Sequence, residues 1–227
     1  MTLSMGSFTL ADLALKWACE ILPTGQVMLI LGLGCCALFW SVTQRNQEKA
    51  FSRVFFLPAV LLRTFGEAVA VIFIFLALIH SAFTSVAAIL QTLPLLMTLI
   101  SFIFLGEKVG MHRLLAVLVG FVGVLLIIRP GLESFDVFSL YAVLAVVGMS
   151  MRDVGSRLSP ASISASMLAL YGAMTFVVVG LVMMYFGGSK VPSLEASMYL
   201  IAMILFASSG SYYATKAMRI GEVSVIS

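Results

Sequence analysis

Five ionisable side chains interrupt stretches that are otherwise apolar: Asp12, Lys16 and Glu20 in one, Arg63 and Glu67 in another. Residues four apart fall on one face of a helix, so the first three share a face and the last two share another. In hydrocarbon such groups carry protons, dock a polar or charged solute, or pair to hold helices together. Left alone, five such charges would cost about 15 kcal/mol in sum, comparable with the stability of a whole domain. They must therefore pair or line water. Asp12 and Glu67 fall at similar depth, with Arg63 about one turn below and Lys16 about one turn above. That register predicts that Lys16 meets Glu67 and Arg63 meets Asp12. The five sum to minus one, which leaves one carboxylate able to take a proton. Glu20 lies nearer the outer interface and reads as solvated. A purely structural network joining the first and third segments is the competing reading.

A second polar group sits mid-segment at Gln91, Thr92 and Pro94. Pro94 has no N–H for the Leu90 carbonyl, so a helix there must bend. Gln91, one turn before, would either cap that kink or meet a solute. Gly120 and Gly123 read as close-packing positions. Arg152 and Asp153 read as a cytoplasmic cap ending the sixth segment, and Tyr212 and Tyr213 as interfacial anchors or cavity walls. Cys19, Cys35 and Cys36 form no CxxC and no metal-ligand spacing, so they read as packing thiols. No metal site is expected. The intramembrane protease motifs Gly-x-Ser-Gly, His-Glu-x-x-His and Gly-x-Gly-Asp are all lacking, and His80 and His112 fall at opposite membrane faces.

The elements that must position these groups follow from composition. Hydrophobic residues make up 62% and charged residues 10%, with mean hydropathy +1.15. A soluble surface needs about 25% charged residues, so most of this surface faces lipid. The net charge of +3 is carried by single cations between apolar runs, which makes no basic stripe for nucleic acid. A bilayer core of about 30 Å takes about 20 helical residues. Eight segments approach this, near 3–22, 26–43, 55–78, 82–105, 112–129, 136–151, 162–186 and 195–217. The first is too interrupted for a cleaved leader and reads as a retained helix. With the N-terminus cytoplasmic, Arg45, Lys49, Arg53, Lys108, Arg113, Arg152, Arg157, Lys216 and Arg219 fall inside. Only Lys16, Arg129 and Lys190 fall outside, which satisfies the positive-inside bias.

The stretch Phe75–Ala87 has a weak echo at Tyr213–Ser227: an aromatic, then Ala, a short polar turn, and a run of small and β-branched residues. This echo divides the chain into a five-helix unit over 1–131 and a second unit over 136–227. Five helices per unit would invert the second copy and place a site near the midplane between the two. On this alignment the second unit is expected to be incomplete, lacking helices nine and ten.

Several motifs carry a family resemblance. They are Asp12-x-x-x-Lys16-Trp17, Pro23-Thr24-Gly25-Gln26, Arg63, Phe75-x-Ala77-Leu78 leading to Pro94-Leu95, and Leu105-Gly106-Glu107-Lys108 leading to Gly120-x-x-Gly123 and Arg129-Pro130-Gly131. Ala217-x-Arg219 and Glu222–Ser227 follow in the second unit. Together they resemble the EamA-type branch of the drug/metabolite transporter superfamily. The resemblance departs at Leu31, where the family commonly has Arg. It implies an all-α polytopic membrane protein, with about eight helices present of a ten-helix, five-plus-five inverted-repeat bundle.

The function expected is therefore a transporter moving a small metabolite (amino acid, amine or carboxylate type) across the cytoplasmic membrane by alternating access. Asp12, Lys16, Arg63, Glu67 and Gln91 are the candidate substrate-binding or coupling residues, and Pro94 marks the kink. Partners are the small-molecule substrate and the lipid bilayer, with a coupling proton and a homodimer compatible; no cofactor is expected. A non-transporting scaffold or truncated remnant is the alternative, ahead of an intramembrane enzyme.

Overall fold

The computed structural model describes residues 2–48, 53–81, 83–104, 110–128 and 138–220. These residues fold as helices joined by short connections. The helices are α1 (Thr2–Ile21), α2 (Thr24–Arg45), α3 (Pro58–His80), α4 (Phe83–Leu90), α5 (Leu93–Phe104), α6 (Met111–Ile128), α7 (Ser139–Leu158), α8 (Ala165–Gly187) and α9 (Leu194–Ile220). A single 3-10 turn, Arg53–Phe56, leads into α3. By length and apolarity, five stretches among the described residues can cross a bilayer: Thr24–Arg45, Pro58–His80, Ser85–Ile103, Ala165–Gly187 and Leu194–Ala217. The molecule is an all-α, multi-pass membrane protein.

Six helices form three nested antiparallel pairs, α2 with α8, α3 with α7, and α1 with α9. Glycines let the backbones approach. A Cβ at Gly25 would lie 2.4 Å from the Met184 nitrogen, one at Gly32 2.6 Å from that of Val177, and one at Gly180 2.5 Å from that of Leu29. Without a hydrophobic drive between helices in lipid, such close packing is the main source of association. The pair is latched at both ends. The Gln26 amide donates to the Lys190 carbonyl at 2.7 Å and accepts from the Lys190 N–H at 2.8 Å. At the other end Ser164, the N-cap of α8, donates to Glu48 and accepts from the Met167 N–H.

The core lies where these pairs meet. Ala14 and Ala18 of α1 with Leu22 just after it, and Val27, Leu31, Cys35 and Phe39 of α2, recur every fourth residue and pack on α8 and α9. Outward faces carry large apolar residues instead, as at Leu115, Val119 and Leu126 of α6 and Val178, Val182 and Phe186 of α8. These suit lipid.

Two sequence expectations are revised here. The fourth segment is interrupted rather than bent: α4 ends at Leu90, and α5 starts at Leu93 with Pro94 in its first turn. The Thr92 carbonyl accepts from the N–H of Leu95 and Leu96, so the break restarts a helix in which Pro94 needs no donor. Gly123 is not a packing contact, since a Cβ there would have no neighbour within 4 Å among the described residues. Gly120 does face Leu95 of α5.

Candidate functional site

The crossing of α3 and α7 places charge inside the bundle. Gly66 and Gly148 let the two backbones touch: a Cβ at Gly66 would lie 2.5 Å from the Arg152 nitrogen, and one at Gly148 2.5 Å from that of Ala70. One turn away, a Cβ at Gly155 would lie 2.6 Å from the Arg63 nitrogen. This contact brings Arg63 and Glu67 of α3 against Arg152, Asp153 and Ser156 of α7.

Arg63 is the largest fully buried side chain, 2% exposed. Its Nε donates to Ser156 Oγ at 2.9 Å and its Nη2 to Thr215 Oγ1 of α9 at 3.4 Å. Its Nη1 stands 3.9 Å from Glu67 Oε2 and has no hydrogen-bond partner among the described residues. Ser156 in turn donates to the Arg152 carbonyl at 2.8 Å. Arg152 Nη1 lies 3.7 Å from Glu67 Oε1, and its Nε donates to Asp153 Oδ1 at 2.9 Å. Glu67 is thus flanked by two guanidinium groups, both beyond normal hydrogen-bond length. Buried charges of this kind persist only when paired, because each carries a large desolvation penalty.

The quartet opens into a cavity. A larger chamber of about 100 Å³ is walled by Leu31, Phe39, Ala169, Ala173 and Phe176 and floored by Glu67 and Arg152. A smaller polar pocket of about 20 Å³ is lined by Arg63, Asp153, Ser156 and Thr215. Phe8, Glu67, Arg152 and Ser211 line both chambers, so the two adjoin. An apolar hollow with a few convergent polar groups is the usual form of a small-molecule site.

Of the residues expected from sequence, the structure brings Arg63 and Glu67 together, but with each other and with Arg152. The expected pairs Lys16–Glu67 and Arg63–Asp12 do not form: Asp12 and Lys16 are exposed on α1 and line neither chamber. The buried stripe of α1 is Ala11, Ala14 and Ala18, continued by Leu22 just past its end, which turns Asp12 and Lys16 away from α3. Gln91 is exposed in the break between α4 and α5 and also lines neither chamber. Arg152 and Asp153 are not a cap, because α7 runs on to Leu158 and buries Asp153. Apolarity fades after residue 151, but small residues at Gly148, Gly155, Ser156 and Ser159 continue one face through it. That face was the signal for Arg152. Tyr212 packs beside the main core, and Tyr213 is half-exposed with its ring 5.6 Å from that of Tyr212. Among the described residues no group of His, Cys, Asp or Glu is placed to hold a metal ion.

Residues 2–129 match the EamA-like transporter family. The chain belongs to that family. Among its relatives is a riboflavin transporter of Brucella anthropi, 34% identical over 154 residues, which covers 64% of this chain and 53% of that protein. A riboflavin transporter of Vibrio cholerae is 35% identical over 88 residues, 37% of this chain and 30% of the relative. An S-adenosylmethionine uptake transporter of Rickettsia bellii is 29% identical over 98 residues, 43% of this chain and 34% of the relative. This EamA-family chain therefore spans about half the length of the first relative, and less of the others. No solved structure matches it.

Proposed function

We propose that this EamA-family protein carries a small heteroaromatic metabolite of the riboflavin kind across the cytoplasmic membrane by alternating access. The supporting observation is the apolar cavity floored by Glu67 and Arg152, in a chain whose relatives are named as riboflavin and S-adenosylmethionine transporters. Flat walls at Phe39 and Phe176 suit a ring system better than the amino-acid, amine or carboxylate substrates expected from sequence. An enzymatic role has no matching constellation among the described residues.

The nested pairing supports two inverted units over 1–131 and 136–227. A two-fold relation exchanging α1, α2 and α3 with α7, α8 and α9 maps α3–α7 onto α1–α9 and α2–α8 onto itself. Helix lengths follow the same order, 20, 22 and 23 residues against 20, 23 and 27. The cavity sits on this relation, as inverted-repeat carriers require. The excess of cations after α2 and at the C-terminal ends of α7 and α9 supports a cytoplasmic N-terminus even with Arg152 withdrawn into the bundle. Glu67 would carry a coupling proton where transport is proton-driven.

The test is uptake of labelled riboflavin by proteoliposomes holding the chain, with E67Q as control. Saturable uptake, lost in E67Q at equal insertion, is expected. Uptake of riboflavin no faster than in empty vesicles would sink the proposal.

A further inference from the structure

We infer that the site selects solutes with no net charge, taking an uncharged hydrogen-bonding edge against Glu67 while the body of the molecule fills the apolar chamber. The inference rests on the carrier reading above and narrows its substrate class.

Charge balance is the first observation. The charged residues lining either chamber are Arg63, Glu67, Arg152 and Asp153, two cations and two anions. They lie in one connected cluster through contacts of 3.9, 3.7 and 2.9 Å. A net-charged solute entering this cavity would leave one charge uncompensated where water is scarce. A neutral one leaves the balance intact.

The second observation is unused hydrogen-bonding capacity. Glu67 is buried yet lines both chambers, and its two oxygens stand 3.9 Å from Arg63 Nη1 and 3.7 Å from Arg152 Nη1, beyond normal hydrogen-bond length. A carboxylate flanked this way accepts from N–H or O–H groups of a solute such as an imide, an amide or a polyol. The vacant Nη1 of Arg63, next to Glu67 Oε2, offers a donor beside that acceptor. Gly172 keeps the approach clear, since a Cβ there would crowd both atoms, at 3.0 and 3.3 Å.

Two flavins separate charge from shape: riboflavin is neutral, and its 5′-phosphate bears the same ring with a dianionic tail. In binding titrations of the purified chain, riboflavin should bind at least about tenfold tighter than the phosphate. E67Q and D153N each make the quartet net positive, and should narrow that ratio by about tenfold. Equal or tighter binding of the phosphate by the unmodified chain would overturn the inference.

If neither flavin binds, the flavin reading fails, and charge selection is then decided at Cys35, which lines the larger chamber. In a C19S/C36S background its modification rate is compared for anionic and cationic methanethiosulfonates. A rate ratio like that of a free thiol, raised about fivefold by E67Q or D153N and lowered by R63Q, is expected. A ratio already skewed before mutation, or unmoved by these variants, overturns it.

Discussion

Gly172 of α8 faces the guanidinium of Arg63, close enough that a Cβ at position 172 would stand 3.0 Å from Nη1. The same carbon would lie 3.3 Å from Glu67 Oε2, so the missing side chain is what leaves room over the ion pair. Arg63 cannot retreat, because Ser156 and Thr215 hold its other nitrogens. Gly172→Ala should lower transport roughly fivefold with about 1 kcal/mol or less lost in stability. Gly172→Leu should abolish transport. Flux in proteoliposomes, set beside a thermal melt of each variant, separates the two effects.

Arg152 is the cation that Glu67 and Asp153 share. Removing it leaves both carboxylates short of a partner in a buried setting, which costs roughly 3–5 kcal/mol. Arg152→Gln should therefore melt well below the unmodified protein. Arg45→Gln, at the exposed end of α2, should melt within about 0.5 kcal/mol of it. Equal melts for the two variants would return Arg152 to the surface role that apolarity alone suggests.

Asp12 and Glu67 have similar depth in their helices but opposite surroundings. Glu67 lies between two guanidinium groups, whereas Asp12 is exposed on α1. Neutralising Glu67 alters the floor of the cavity, so Glu67→Gln should cut flux by at least about tenfold. Asp12→Asn should stay within about twofold of the unmodified rate. Matched losses in both would mean that Asp12 enters the site in another state of the cycle.

The eight segments were legible in sequence because span length is set by the bilayer, and the observed helices follow them closely except at the fourth, which splits into α4 and α5, and around α7. The charged site was half legible. Arg63 and Glu67 announce themselves as ionisable residues in a long apolar run. Their partners were hidden by a rule that treats charge as a sign of helix ends, whereas Arg152 and Asp153 sit inside a helix whose small-residue face continues past them. Helix pairing was the other gap. Depth along each helix can be read from sequence, but which face of α1 turns inward depends on its alanine stripe packing under α9. Asp12 and Lys16 were therefore paired with α3 by depth alone, and α7 holds that place.

The clearest contrast among the glycines lies between positions 155 and 123. A Cβ at 155 would fall 2.6 Å from the Arg63 nitrogen and 2.8 Å from the Ala59 carbonyl, both backbone atoms that no rotamer change can move aside. Gly155→Ala must therefore push α7 away from α3. That shift would draw Ser156 from Arg63 Nε and Arg152 from Glu67, losing the ion cluster together with the packing. Overpacking of this kind costs about 1–3 kcal/mol before the charges are counted. At Gly123 a Cβ would meet nothing within 4 Å among the described residues, and alanine suits a helix better by up to about 1 kcal/mol. Gly123→Ala should melt at or slightly above the unmodified protein and transport normally. Gly155→Ala should melt lower and transport poorly. If both variants behave alike, the α3–α7 contact is not what positions Arg63, and the cavity floor must be held some other way.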